Sequence, residues 1–240
     1  MKAYRLLRAD EIEVRISTCN GYGVGLLLYK DARCDQNILD EAHGAFGWQN
    51  SYDLIDGQLF ATVSIWDDQK GAWVSKQNVG VESFTEKEKG RASDAFKRAC
   101  FNWGIGRELY SAPNMWVFGK DLKTHEKDVS GKWTCKDAFE VVSLEYDGDR
   151  ICYVVVKNLK TKALLEFGEP REAKEEREAV SAQRIPEAKV MALRSQFEKL
   201  GIEEEIFCKV CHVDSVESIT EGQFVMIIEQ WEHIKEACGA

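Results

Sequence analysis

Short alternations of apolar and polar residues fill the first part of the chain and predict β-strands joined by tight turns. In residues 11–19 apolar side chains alternate with charged ones, which is the pattern of a half-buried strand. A second strand pattern over residues 23–30 follows an Asn20-Gly21 turn signal. The two segments therefore predict a β-hairpin.

A second group of strand patterns leads to the longest helical pattern of the chain. Residues 35–43, which Gly44 follows, first predict a short helix. Three strands separated by Asp, Gly and Lys-containing turns are then predicted over 48–55, 58–66 and 72–84. Three consecutive strands with short turns predict an antiparallel β-meander.

Residues 85–110, TEKEKGRASDAFKRACFNWGIGRELY, predict an amphipathic helix with an aromatic end. Thr85 and Glu88 match a capping box that starts the helix near residue 86, and Gly104 predicts its end. An apolar stripe recurs at helical spacing along one face: Ala92, Phe96, Ala99 and Trp103. We expect this helix to pack across the meander, which predicts an α+β fold.

The remainder of the chain predicts more strands, followed by a linker and a helical module. Strand patterns cover 115–118, 138–146 and 150–157. Residues 169–184 have almost no large apolar side chains and predict an acidic linker. The last segment, 185–240, predicts a small all-α module of three helices, beginning at Pro186, Glu203 and Thr220. The predicted first domain is thus 1–168.

The charge distribution separates the two predicted domains. The net charge is −9, of which residues 169–240 carry −7, so the acidity does not prevent a basic site in the first domain. No segment has the length of a membrane span and the N-terminus lacks the apolar core of a signal peptide, which favours a cytoplasmic protein. In that compartment the eight cysteines are expected to be free thiols.

Cations on the long helix are the main candidate for chemistry. Lys87, Arg91 and Arg98 recur on one face, and Lys97 flanks them. A row of cations that ends in an aromatic and glycine cluster suits a polyanion with flat groups, which indicates single-stranded nucleic acid. The alternative is a solvated face with pairs such as Asp94 and Arg98, because acids are interleaved and the local net charge is only +2.

The same helix carries a family resemblance. The pattern DAFKRA over 94–99, followed by Gly104 and Gly106, resembles the signature helix of the Rad-fifty-two superfamily of single-strand annealing proteins. Residues 11–30 and 32–48 resemble the strand and short helix upstream of it in the bacterial and phage branch, which includes Sak-type recombinases and DdrA-like proteins. The resemblance covers about residues 10–118.

The resemblance implies an ATP-independent protein that anneals complementary strands in recombination and repair, in a bacterial or phage-infected cell, as a ring of many subunits. It implies that Lys97 and Arg98 contact the DNA backbone, with a secondary set formed by Arg91, Lys87 and Arg33. Eukaryotic members carry an arginine where this chain has Phe101, which leaves two roles open. Phe101 either stacks on bases or packs in the core or a subunit interface.

The helical module and the remaining motifs allow several alternatives. The module either binds a partner, chiefly a single-stranded-DNA-binding protein, or serves as a solubility appendage, and the family also implies a partner exonuclease.

The string Cys208-Lys-Val-Cys211-His212 matches haem attachment but lies in a predicted helix of an acidic tail. No phosphate-binding loop is present, which argues against strand exchange driven by ATP, and we expect no catalytic residue, metal or cofactor. The rival functions are a metal-dependent, structure-specific nuclease, for which Asp68-Gln69-Lys70 supplies the residue types, and an interaction module that does not bind DNA.

Overall fold

The computed structural model describes residues 4–81 and 87–239, without the side chains of 87–89. The chain divides into two compact units, Met1–Pro170 and Arg171–Ala240, which we name the α+β unit and the helical unit. Among the described helices, none combines the length and the apolar character that a membrane crossing needs. The predicted combination of α+β fold and C-terminal helices is confirmed.

Two helices and a series of short strands form the α+β unit. The helices are α1 (Ala32–His43) and α2 (Lys87–Trp103). The strands, in chain order, are β1 (Glu13–Asn20), β2 (Gly23–Tyr29), β3 (Trp48–Ile55), β4 (Gln58–Asp67), β5 (Ala72–Val79), β6 (Met115–Phe118), β7 (Glu126–Lys127), β8 (Trp133–Thr134), β9 (Phe139–Asp147), β10 (Arg150–Asn158) and β11 (Leu164–Gly168).

The larger sheet is antiparallel and has the strand order β11-β10-β9-β1-β2-β6. Two predicted hairpins, β1–β2 and β9–β10, are confirmed. Strand β1 pairs with β9 between them, with Glu13 opposite Glu140. The edge strand β11 was not predicted. Its five residues, LLEFG, become a strand because they pair with β10, and sequence periodicity over so short a segment does not report such pairing.

The predicted meander, β3-β4-β5, is confirmed and carries α2 on one face. Phe96, Ala99 and Trp103 of the predicted apolar stripe are buried, whereas Ala92 is only partly buried, and the Trp103 indole N–H donates to the carbonyl of Val63 over 3.0 Å. Strand β5 ends at Val79, so the prediction of a strand through residue 84 was too long at residues 80 and 81. A Cβ on Gly80 would lie 2.2 Å from the Arg91 carbonyl oxygen, because the helix approaches the chain most closely there.

The two helices of the α+β unit differ in how their first residues compare with the predictions. The predicted capping box of Thr85 and Glu88 lies outside the described residues. Helix α1 starts three residues earlier than predicted, because the Asp31 carboxylate caps it by accepting the Cys34 N–H over 2.9 Å. The Trp48 side chain at the start of β3 connects both helices to the meander. Its indole N–H donates to Asp40 of α1 over 2.7 Å, and its ring centroid lies 6.0 Å from that of Phe96 in α2.

The helical unit contains more helices than predicted. They are α3 (Arg171–Ala182), α4 (Glu187–Leu200), α5 (Glu204–Cys211), α6 (Glu221–Glu229) and α7 (Trp231–Cys238). The predicted third helix is broken at Gln230, whose backbone leaves the helical region at φ −102° and ψ 15°. Beyond the break, the Trp231 ring packs 6.3 Å from Phe207 at the centre of this unit.

The segment predicted as a linker is largely helical, so that prediction was wrong for residues 171–182. This stretch lacks large apolar residues, but Ala, Glu, Lys and Arg are strong helix formers, and Arg171 pairs with Glu175 over 2.7 Å. Helix α3 packs on α6, and the chain after it is bound by backbone hydrogen bonds from Ile185 to Ile219 and from Glu221 to Gln183. These contacts make the segment part of the helical unit.

Candidate nucleic-acid interface

A groove lies along α2, and the end of the meander at Asn78 and Val81 also lines it; we name it the α2 groove. Strand β2 and Lys30 form one wall, and residues 90–102 of α2 form the other. The turn after α2, residues 105–115, closes one end. The groove has a volume of about 1270 Å³ and is open to solvent. Its open shape suits a chain-like ligand better than a small molecule.

Among the described residues, cations outnumber acids on the lining of this groove. These residues supply four cationic side chains and one carboxylate: Arg15, Lys30, Lys97, Arg98 and Asp94. Arg98 is half exposed and its Nε donates to the Asp94 carboxylate over 2.7 Å. The same Asp94 oxygen accepts the Val81 N–H over 2.9 Å. Asp94 therefore orients Arg98 and also accepts a hydrogen bond from the backbone.

Lys97 is a cation of the groove that is free to bind a ligand. Its side chain is partly buried, and among the described residues its ammonium makes neither a hydrogen bond nor an ion pair. Its charge acts to lower the pKa of the buried Asp35, against the larger effect of burial. An unpaired lysine in a solvent-open groove is available to neutralise a phosphate.

A buried ion pair lies in the wall behind Lys97. The Lys30 ammonium donates to the Asp35 carboxylate, and both side chains are almost completely buried. Burial raises the pKa of Asp35 to about 6, although the charges of Lys30 and Lys97 act in the opposite direction. The second carboxylate oxygen of Asp35 has no partner among the described residues. This pair is nearly neutral, so it shapes the wall without adding charge to the groove.

Gly106 keeps the space that the Lys30 side chain occupies. Its backbone has φ +76°, a conformation that favours glycine, and a Cβ there would lie 2.2 Å from Lys30 Cε. The GIG sequence after α2 thus has a packing role as well as a turn role. It lets the chain cross the end of the groove in close contact with the buried pair.

Aromatic side chains stand at the same end of the groove. Phe101 is partly buried and is not part of the buried core of the unit. Its ring makes an edge contact with Tyr110, with the centroids 5.1 Å apart and the planes at 63°. The Arg107 guanidinium lies 5.5 Å from the Phe101 centroid and donates to the carbonyls of Phe101 and Asn102 over 2.9 and 3.0 Å.

The structure brings together three of the six residues that the sequence indicated. Lys97, Arg98 and Phe101 line the α2 groove. Arg91 lies elsewhere, because its guanidinium donates to the Gly57 carbonyl in the β3–β4 turn over 2.6 Å. Arg33 is exposed at the start of α1, pairs with Asp31 over 2.8 Å and is not among the lining residues. The side chain of Lys87 lies outside the description.

Sequence reasoning missed three residues around the groove. Arg15 points outward from β1, with its guanidinium carbon 6.0 Å from the Tyr29 ring centroid, and strand alternation alone marks it only as exposed. Arg107 and Tyr110 follow the helix in a 3-10 turn, Arg107–Ser111. The aromatic end of the segment was a visible signal for Tyr110, but its position beside Phe101 depends on that turn.

Comparisons with known proteins agree with a nucleic-acid interface. No protein-family model matches the chain. Two curated relatives are both named single-stranded DNA-binding protein DdrA. The Deinococcus deserti protein is 35% identical over 100 residues, which are 41% of this chain and 48% of that protein. The Deinococcus radiodurans protein is 33% identical over 104 residues, 42% of this chain and 49% of that protein. The match thus spans about half the length of each relative.

Proposed function

We propose that the α2 groove binds the backbone of single-stranded DNA and that the protein anneals complementary strands without nucleotide hydrolysis. The observation that carries this proposal is the unpaired Lys97 beside Arg98, in a groove that ends at Phe101 and Tyr110. Cations replace the counterions condensed on phosphates, and aromatic rings stack on unpaired bases. The similarity to two DNA-binding relatives supports the same ligand.

Annealing in this proposal requires no covalent step. Two DNA strands repel each other, and cations that neutralise the phosphates of one strand lower that repulsion. Holding the strand extended in a groove also raises the effective concentration of bases for pairing. Following the Rad-fifty-two resemblance, we propose that several subunits form a ring so that successive grooves hold one continuous strand. Native mass measurement with and without a single-stranded oligonucleotide tests this assembly.

The deciding experiment is annealing of labelled complementary oligonucleotides in the presence of a metal chelator. The proposal expects faster annealing than without protein, and tighter binding of single strands than of duplex. Cleavage that depends on a divalent metal would support the nuclease instead. An absence of DNA binding under low salt would leave the protein-interaction module as the function.

Local contacts of the Asp68-Gln69-Lys70 turn favour the non-enzymatic proposal. One Asp67 oxygen accepts the backbone N–H groups of Gln69 and Lys70 over 3.0 and 3.2 Å. The Asp68 carboxylate accepts the Trp66 indole N–H over 2.9 Å. Both carboxylates thus stabilise the β4–β5 turn, as turn residues commonly do. In our proposal they have no catalytic role.

We further propose that the helical unit binds a protein partner, chiefly a single-stranded-DNA-binding protein, while the α+β unit alone anneals DNA and works with a separate exonuclease. Following the resemblance to the bacterial and phage branch, we propose that this work takes place in the cytoplasm of a bacterial or phage-infected cell. The helical unit has its own buried core, centred on Phe207, Val216 and Ile219. A separate core is typical of a unit with a separable role.

A chain that ends after Pro170 is expected to fold, to assemble and to anneal naked strands. Strand β11 is complete at Gly168, and the Glu169 N–H already bonds to the Cys152 carbonyl over 3.0 Å. The truncated chain is expected to lose its advantage on strands coated with a single-stranded-DNA-binding protein. Circular dichroism melting and annealing on naked and coated strands measure both effects. Loss of folding on truncation would show that the two units depend on each other.

A further inference from the structure

Tyr110 is an exposed aromatic residue at the end of the α2 groove. It lies in the 3-10 turn after α2, lines the α2 groove and is 84% exposed. A single exposed ring is common on protein surfaces, but Tyr110 lies in the groove itself, beside Phe101. Its ring makes an edge contact with Phe101, and most of its surface stays exposed.

Phe101 has less free surface than its neighbour. The Arg107 guanidinium lies over its ring, and Tyr110 meets it at 63°. Two carbonyl hydrogen bonds at the C-terminus of α2 fix Arg107 in that place, where a cation is favourable. The three side chains form one cluster, which we name the aromatic unit, in which Arg107 packs against Phe101 and Phe101 packs against the ring of Tyr110 from the helix side.

The geometry points to Tyr110 as the platform on which one unpaired base stacks, with Phe101 and Arg107 as positioning residues. This inference rests on the proposed function and names the base contact of the groove whose phosphate contacts are Lys97 and Arg98. Phe101 follows Lys97 by four residues, one turn of helix or about 6 Å, so a base stacked at the aromatic unit lies next to the cations. Stacking requires a base that is not paired, which makes the groove selective for single strands.

The inference is tested with Tyr110→Ala, Tyr110→Leu and Tyr110→Trp in the full chain. We expect Ala and Leu to weaken the binding of a single-stranded oligonucleotide roughly 5- to 150-fold, and Trp to retain it. The salt dependence is expected to stay unchanged, because no phosphate contact is lost. A single 2-aminopurine in the oligonucleotide should be quenched by the native protein and much less by the Ala variant.

Two further comparisons separate stacking from other effects. An oligonucleotide with abasic sites should bind the native protein and Tyr110→Ala equally well. Phe101→Ala should weaken binding, and the double variant with Tyr110→Ala should be no weaker than Tyr110→Ala, since both residues act as one unit. Tyr22→Ala is the matched control, because Tyr22 is 80% exposed but does not line the groove.

The outcomes distinguish this inference from the proposed function. If Tyr110→Ala and Tyr110→Leu bind like the native protein while Lys97→Ala with Arg98→Ala weakens binding, the stacking site is wrong and the groove remains. If Tyr110→Ala weakens binding to abasic and normal oligonucleotides equally, the ring acts without stacking and the inference is also overturned. If neither set of variants changes binding, the groove itself is not the DNA site.

Discussion

Replacing Lys97 and Arg98 together by alanine is expected to abolish annealing while the fold and the assembly persist. Both side chains line the α2 groove, and Lys97 has no acidic partner among the described residues. Each lost phosphate contact should reduce the slope of log affinity against log salt by about 0.7, so the double variant should lose about 1.4. Titration of a fluorescent oligonucleotide at several salt concentrations measures this change.

Stability is not expected to limit that experiment. Alanine is the strongest helix former, and the exposed Arg98–Asp94 pair contributes about 0.3–0.5 kcal/mol. The matched control is Lys70→Ala with Lys160→Ala, which removes the same charge from two exposed residues outside the groove lining. An equal loss of affinity in both double variants would assign the effect to net charge, and an unchanged salt slope would remove Lys97 and Arg98 from the site.

Asp35→Ala is expected to cost about 3–5 kcal/mol of unfolding free energy, the usual effect of leaving a buried charge without its partner. Lys30 and Asp35 are both almost fully buried, and the removed carboxylate is the acceptor of the Lys30 ammonium. Lys30→Met with Asp35→Leu removes both charges and should be neutral or more stable than the native protein, by up to about 4 kcal/mol. Urea denaturation measures all three proteins.

The same pair predicts a pH dependence with a definite sign. Burial raises the pKa of Asp35 from 3.8 to about 6, so between these values the folded chain binds more protons than the unfolded chain. The contribution of Asp35 to stability therefore falls as pH rises from about 4 to 6. The stability of Lys30→Met with Asp35→Leu relative to native should rise over that range. A difference that is flat with pH would show that Asp35 does not titrate there.

The candidate site divides into residues that local sequence could indicate and residues that it could not. Lys97, Arg98 and Phe101 lie within five consecutive residues of one helix, where the family resemblance singled them out, whereas helical spacing alone grouped Arg98 with Lys87 and Arg91. Arg91 has the same spacing, but the β3–β4 turn holds its guanidinium at the Gly57 carbonyl. Spacing shows which residues share a face of a helix, whereas the neighbouring elements determine which of them remain free.

The distribution of predicted and unpredicted elements has the same cause. The β1–β2 hairpin, the meander and α2 follow from turn residues and apolar periods that act within a few residues, so the sequence by itself determined them. The sequence also determined that the C-terminal part of the chain, residues 169–240, is acidic.

Only the tertiary structure decided contacts between segments that are distant in the chain. Strand β9 joins β1 through Glu13 and Glu140, β11 exists by pairing with β10, and α3 packs on α6. Lys30 and Asp35 carry charges that a sequence pattern assigns to the surface, and they are buried because α1, β2 and the turn after α2 meet around them. Periodicity specifies that a face is apolar. Packing alone selects the partner that covers it, since the free energy of burial does not depend on sequence separation.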